Sequence, residues 1–482
     1  MAKTAKFSLK LLIDEEKNKV VFAEACQDFV DTLFSLLTLP MGTIARLLEK
    51  HQKLPQALGC YKNLNASVAN LGIDNFQTEV CKTMLMYPKS KKEVHCRKLK
   101  LNMDDTAHSS KFFVCPKFYK HDSCSRYYSN FTTSKCSCGG YMTKEVRVPE
   151  ELQAGYQVGN GVDGVFVCCR SSFIVTDDLK VTLNSIGAIA NVLKDLGYQG
   201  FRDMQEMIIQ VGFQEVVALL GCLFTTNAPL TYSFLRKDIV TLTDATLSPS
   251  VQEIGHEQVQ PGFQVKVFVR KCDRKILYVE SSEDFIDSLL TFLVLPLEMA
   301  WSFSDDNTIL ECVRNLHRSE ARRALTPDFS ELPDYYPCRN RLLDIKTSPL
   351  PKFECCIPKD SDYCSVFNFT RPINLEWHML PQDTVIVSSK DKYDDLMRYT
   401  DGFLRRGTKF IVSDDLLVTT MNSSSTIELL RKNQVDISDI EELAISISKA
   451  ELISILRASL ISSSALTKGL SNFLTRKPKE ET

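Results

Sequence analysis

Beginning at Phe7, apolar residues alternate with polar ones: Phe7, Leu9, Leu11 and Ile13. That period of two predicts a strand with one face against a core. A polar stretch at 15–18 interrupts the pattern and residues 19–24 resume it, so the opening predicts a β-hairpin. From Gln27 the period changes. Phe29, Leu33, Leu36 and Leu37 fall on one stripe of a helix. Asp28 and Asp31 sit in its first turns, where carboxylates suit the positive end of the helix dipole. Pro40 marks its expected end, because proline disfavours helix at the residue before it.

The same pattern returns at Val265, Val267 and Val269. Residues 9–40 match 265–296 without a gap, sharing Lys10/Lys266, Glu24/Glu280, Phe29/Phe285, Asp31/Asp287 and Pro40/Pro296. A second block is closer still: FIVTDDLKVT at 173–182 against FIVSDDLLVT at 410–419, each predicting strand, turn and strand. The blocks keep their order, which is the expected signature of a duplicated unit. The division expected from this is 1–235 for the first repeat unit, 236–262 for a Ser, Thr and Pro-containing linker, 263–470 for the second unit and 471–482 for a flexible tail. Two helices are predicted after each FIV block, at 185–196 and 203–224 in the first copy and at 424–432 and 438–460 in the second. The expected fold class is α+β: two tandem copies of one unit, each a β-hairpin and helix followed by further antiparallel strands and C-terminal helices.

Composition narrows the picture. With 482 residues, 44% hydrophobic and 24% charged, the chain has the balance of a globular protein. A net charge of −2 exerts no global pull toward nucleic acid or an acidic membrane surface. The uncharged run at 216–235 contains Thr225, Thr226, Asn227 and Pro229, and predicts a buried helix followed by a turn rather than a membrane span. The first apolar run is too short for a signal peptide, and Asp14, Glu15 and Glu16 argue against a transit peptide. The 17 cysteines, an odd number with no secretory leader, predict an intracellular chain whose thiols are reduced or metal-bound.

Those cysteines supply the sharpest candidate chemistry. Cys115, Cys124, Cys136 and Cys138, the last in a Cys-Ser-Cys-Gly-Gly run, could hold one structural zinc through four thiolates. Gly139 and Gly140 would permit the tight turn such a site needs. The competing reading is four ordinary reduced thiols in a loop. In the second copy Cys355 and Cys364 align with Cys115 and Cys124, but no Cys-x-Cys follows; a mixed set with Cys356 and His378 is the weaker counterpart. A site kept in one copy favours a structural over a catalytic metal. The pairs Asp177–Asp178 and Asp414–Asp415 read as turns, because aspartate bonds its own backbone there, ahead of a catalytic or metal-binding role. The basic stretch 89–100 lacks interleaved aromatics, and Cys168 and Cys169 have no neighbouring His or Lys to lower their pKa.

The stretches SLKLLIDEEKNKVVFAEACQDFVDTLFSLLTLPMGTIARLL, CRKLKLNMDD, CSCGG and FIVTDDLKVT together resemble a plant family catalogued only as domain of unknown function 674. The resemblance covers nearly the whole chain and implies a plant protein with one or more copies of this unit. It implies no catalytic residue and no ligand. Three readings of function follow: a non-enzymatic intracellular module binding an unidentified protein partner, an enzyme with a site between the repeats or in the Cys-rich loop, and a weak nucleic-acid binder using that loop and residues 89–100.

Overall fold

The computed structural model describes residues 5–90, 93–104, 112–117, 132, 138–146, 165–167, 172–200, 204–236, 262–302, 310–319, 353–355, 373–375, 402–432 and 434–474. Its strands are β1 (Phe7–Asp14), β2 (Lys19–Ala25), β3 (Phe112–Val114), β4 (Lys144–Val146), β5 (Phe173–Thr176), β6 (Val181–Leu183), β7 (Met204–Val211), β8 (Phe263–Arg270), β9 (Ile276–Ser282), β10 (Phe353–Cys355), β11 (Ile373–Leu375), β12 (Lys409–Ser413), β13 (Val418–Thr420) and β14 (Ile440–Ile447). They form two five-stranded sheets of matching order, β6-β5-β2-β1-β7 and β13-β12-β9-β8-β14. Every pairing in them is antiparallel. The protein is therefore α+β.

The opening hairpins form as their alternation predicts, and in detail they correspond. Both carry a register shift, at Leu12/Ile13 and at Phe268/Val269. Both turns pass through a left-handed residue, Asn18 at φ 47° and Arg274 at φ 57°. The helix Gln27–Leu37 buries Phe29, Val30, Leu33, Phe34, Leu36 and Leu37. Phe29 meets Phe7 edge-on at 5.8 Å, and Phe285 meets Phe263 at 6.1 Å in the other half. Each buried leucine or phenylalanine of this kind contributes about 1.5–3 kcal/mol relative to exposure.

Two expected helices are corrected. Residues 203–224 and 438–460 do not run as helix; each divides into an edge strand and a shorter helix. Strand β7 pairs with β1 along its whole length, and the helix Phe213–Cys222 follows. Strand β14 pairs likewise with β8 and leads into the helix Lys449–Ile461. The helix starts are set by caps. The Glu215 carboxylate accepts from the Gly212 N–H at 2.9 Å, and Glu451 accepts from the Ser448 N–H at 2.8 Å while Ser448 Oγ accepts from the Ala450 N–H. The uncharged run after residue 216 is a buried helix and a turn, as expected, but then enters a further short helical segment, Thr231–Leu235; among the described residues no helix is long and apolar enough to cross a membrane.

One apolar core runs through both halves. The inner faces of both sheets contribute, through Leu9 and Leu11 on one side and Val265 and Val267 on the other, with the leucines around Pro40 and Pro296 between them. Pro40 and Pro296 face each other in an antiparallel bridge. The Met41 N–H donates to Leu295 O at 2.8 Å and the Leu297 N–H to Leu39 O at 3.0 Å, so the exchange is reciprocal. Each outer face is covered by its own half: the helix Ile186–Asp195 lays Leu193 on Leu12, Phe22 and Ile174, and the helix Ser423–Lys432 brings Leu429 and Leu430 onto Leu277 and Ile411.

Candidate metal centre and carboxylate clamps

Strands β3 and β4 form a short hairpin in register Phe112↔Val146 and Val114↔Lys144. Cys115 follows β3 directly, and its side chain is buried with Phe113 and Met142. Cys138 lies on the connection into β4 and is exposed. Their sulfur atoms are 3.6 Å apart. Sulfurs on a tetrahedral zinc with Zn–S bonds of about 2.3 Å lie about 3.8 Å from each other, so this pair fits one edge of such a site. The Lys117 N–H donates to Cys115 Sγ at 3.4 Å, an interaction that favours the thiolate form a metal requires. Gly139 adopts φ +80°, a backbone conformation that costs glycine little. Cys124 and Cys136 lie outside the described residues, so two of the four expected ligands are placed and brought together. Among the described residues no group of three or more His, Cys, Asp and Glu side chains is arranged around a common point.

The second half has a corresponding hairpin, β10–β11, in register Phe353↔Leu375 and Cys355↔Ile373. Cys355 ends β10; Cys356, Cys364 and His378 lie outside the described residues.

The Asp177–Asp178 and Asp414–Asp415 pairs sit in turns between strands. Asp177 accepts from the Thr231 N–H at 2.9 Å and from Thr231 Oγ1 at 2.7 Å, and Thr231 Oγ1 in turn accepts from the Val20 N–H. Asp414 accepts from the Thr467 N–H at 2.7 Å, while Thr467 Oγ1 takes the Ile276 N–H. Burial raises both carboxyls above their ordinary pKa, with the hydrogen bonds from Thr231 and Thr467 opposing it. Asp178 and Asp415 turn back onto Thr176 and Ser413. Through Asp177 and Asp414 each hairpin is tied to a distant segment of its own half, and the Asp178 carboxylate also accepts from Asn315 Nδ2 of the other half at 3.0 Å.

Asp31 and Asp287 do more than complement a helix dipole. Asp31 is buried and accepts from the Val165 N–H at 2.8 Å and the Phe166 N–H at 2.7 Å. Burial pushes its pKa up to about 6, against the pull of those N–H groups. Asp287 accepts from the Phe403 and Leu404 N–H groups, both at 3.0 Å. Each aspartate thus pins the segment that returns to the sheet just before the FIV strand. The signal in the sequence was the match of Asp31 with Asp287 between the two similar stretches; what they bind was not legible, because the partners are backbone groups far along the chain.

Three described cations of the basic stretch lie against carboxylates. Arg97 pairs with buried Glu93 at 2.5 Å, Lys89 reaches it at 3.9 Å, and Lys100 pairs with Asp28 at 3.5 Å. Cys168 and Cys169 lie outside the described residues. The thiols of Cys60 and Cys81 are buried, which pushes them up to about 12 and about 11, away from nucleophilic use.

A family model matches residues 3–450, nearly the whole chain and both five-stranded sheets. The chain belongs to the family described as protein of unknown function, DUF674. No curated protein and no solved structure matches it. Membership of DUF674 agrees with the resemblance carried by the hairpin, CSCGG and FIV motifs, and assigns no chemistry to any of them.

Proposed function

We propose that this DUF674 protein is an intracellular, non-enzymatic protein-interaction module whose first half carries one structural zinc on the β3–β4 hairpin, held by Cys115 and Cys138 with Cys124 and Cys136 completing the set. The observation that carries the metal is the 3.6 Å approach of the two sulfurs beside a backbone N–H donor. What supports a protein partner is the use of the buried carboxylates as fasteners for backbone N–H groups, together with apolar side chains left in water on the first half, Ile186 at 89% and Ile208 at 70% exposure. The zinc would hold the hairpin closed, as structural thiolate sites do. The odd number of cysteines suits a reducing compartment.

The test is elemental mass spectrometry on the purified full chain and on Cys138→Ser, with affinity capture from the native source in parallel. The expected result is one zinc per chain, lost in the variant, and a reproducible protein partner. A folded wild-type chain without metal would remove the zinc; a metal-bearing chain that captures nothing reproducible would remove the interaction reading.

A further inference from the structure

Several contacts between the halves come in matched pairs. The helix Gly59–Asn70 crosses onto the β12–β13 hairpin of the other half: Asn63 Nδ2 donates to Asp415 O at 2.9 Å, and Ser67 Oγ accepts from the Val418 N–H at 2.8 Å. The helix Glu311–Arg318 crosses the opposite way onto β5–β6: Asn315 Nδ2 donates to Asp178 O at 2.9 Å, and Ser319 Oγ accepts from the Val181 N–H at 3.0 Å. Two buried thiols repeat the exchange, Cys60 to Ser462 O and Cys312 to Thr226 O. With the Pro40–Pro296 bridge at its centre, this is the pattern of an isologous interface, in which residue i of one unit meets j of the other and j meets i.

We propose that this surface is self-complementary and that a second copy of the chain is its further partner, the N-terminal half of one chain pairing with the C-terminal half of another. The crossing contacts are side chain to backbone and core to core, so they are indifferent to whether the two halves share a chain. The covalent connection runs through 237–261, and a segment of that length spans at most roughly 80 Å. It raises the local concentration of one half about the other and favours the closed single chain when protein is dilute. Exchange between chains then increases with concentration and leaves the interface itself unchanged.

The experiment uses two full-length chains with a protease site inserted between 245 and 252, one tagged at its N-terminus and the other at its C-terminus. Both are expressed together at low and high levels, purified through both tags, and cut under native conditions. The expected product is a doubly tagged particle with the mass of a single chain, made of one N-terminal and one C-terminal piece, and more abundant at high expression. Each chain cut alone should keep its single-chain mass until denaturant is added. Pieces that separate on cutting without denaturant would overturn the self-standing interface. A chain that stays paired after cutting but yields no doubly tagged particle of single-chain mass would overturn the exchange.

Discussion

The clamps at Asp31 and Asp287 use one carboxylate for the same task, yet they meet different residues at the head of the segment they hold. Asp31 holds the N–H groups of Val165 and Phe166, whereas Asp287 holds those of Phe403 and Leu404 and lies against Gly402, the residue in the place of Val165. The hairpins diverge further: β3–β4 brings Cys115 and Cys138 together, and the chain after β10 has no Cys-x-Cys. What both halves keep is the hydrogen bonding that ties segments to sheets and sheets to each other. Among the described residues, a close pair of sulfur atoms is found in the first half, between Cys115 and Cys138.

The largest effect should come from Gly402→Ala. An added Cβ would lie 1.7 Å from Asp287 Oδ2 and 2.7 Å from its Cγ, so the clamp must open. A loss of about 3 kcal/mol or more in chemical denaturation is expected, against a smaller loss of about 1–2 kcal/mol for Val165→Gly, which adds backbone freedom and removes a partly buried side chain packed on the core. Equal losses would break the idea that Gly402 is fitted to its aspartate more closely than Val165 is to Asp31.

Next come the crossing helices. Ser67→Ala and Ser319→Ala each leave a buried N–H, of Val418 and Val181, without its acceptor. Each should cost about 1–3 kcal/mol, and the two costs should be similar. A large cost on one side only would show that the reciprocity is not energetic.

A pH comparison is smaller but carries a definite sign. The Asp31 pKa is raised in the fold to about 6, so its contribution is fully present below the unfolded value and is lost as pH rises through about 6. Between pH 5 and 7 the wild type should therefore lose on the order of 1 kcal/mol at this site, and Asp31→Asn should flatten that slope. Asp14 behaves oppositely. Burial works to raise its pKa, but the bonds from Lys17 at 2.9 Å and from Tyr198 Oη at 2.7 Å prevail and hold it at about 2. Its contribution is present above the unfolded value and is lost as pH falls through about 2. The smallest effect is expected at the surface pairs Lys10–Glu206 and Lys266–Glu442, where alanine at either lysine should leave the denaturation midpoint unmoved.

Much of this fold was legible in the residue pattern. Alternation at Phe7–Ile13 and at Val265–Val269 specified hairpins, and the prolines marked where each first helix had to stop. The strands β7 and β14 were not legible. Met204, Met207, Ile208 and Val211 satisfy a helical stripe as well as a strand, and only the free edges of β1 and β8 turn those segments into sheet. Ser448-x-x-Glu451 is a capping-box signature that marks one true helix start in the sequence, whereas at Gly212 the cap rests on Glu215 and the backbone alone.

The candidate site divides in the same way. Cysteine spacing singled out Cys115 and Cys138, and their approach to 3.6 Å required the β3–β4 hairpin. The sequence by itself determined the two matching sets of elements, the turns at the aspartate pairs and the family. Tertiary structure alone decided that each half's helix fastens the other's hairpin and that Asp31 and Asp287 hold distant backbone. The reason is physical: local pattern encodes which face of an element is apolar, whereas a buried hydrogen bond to a backbone N–H far along the chain leaves no trace in the identity of its donor.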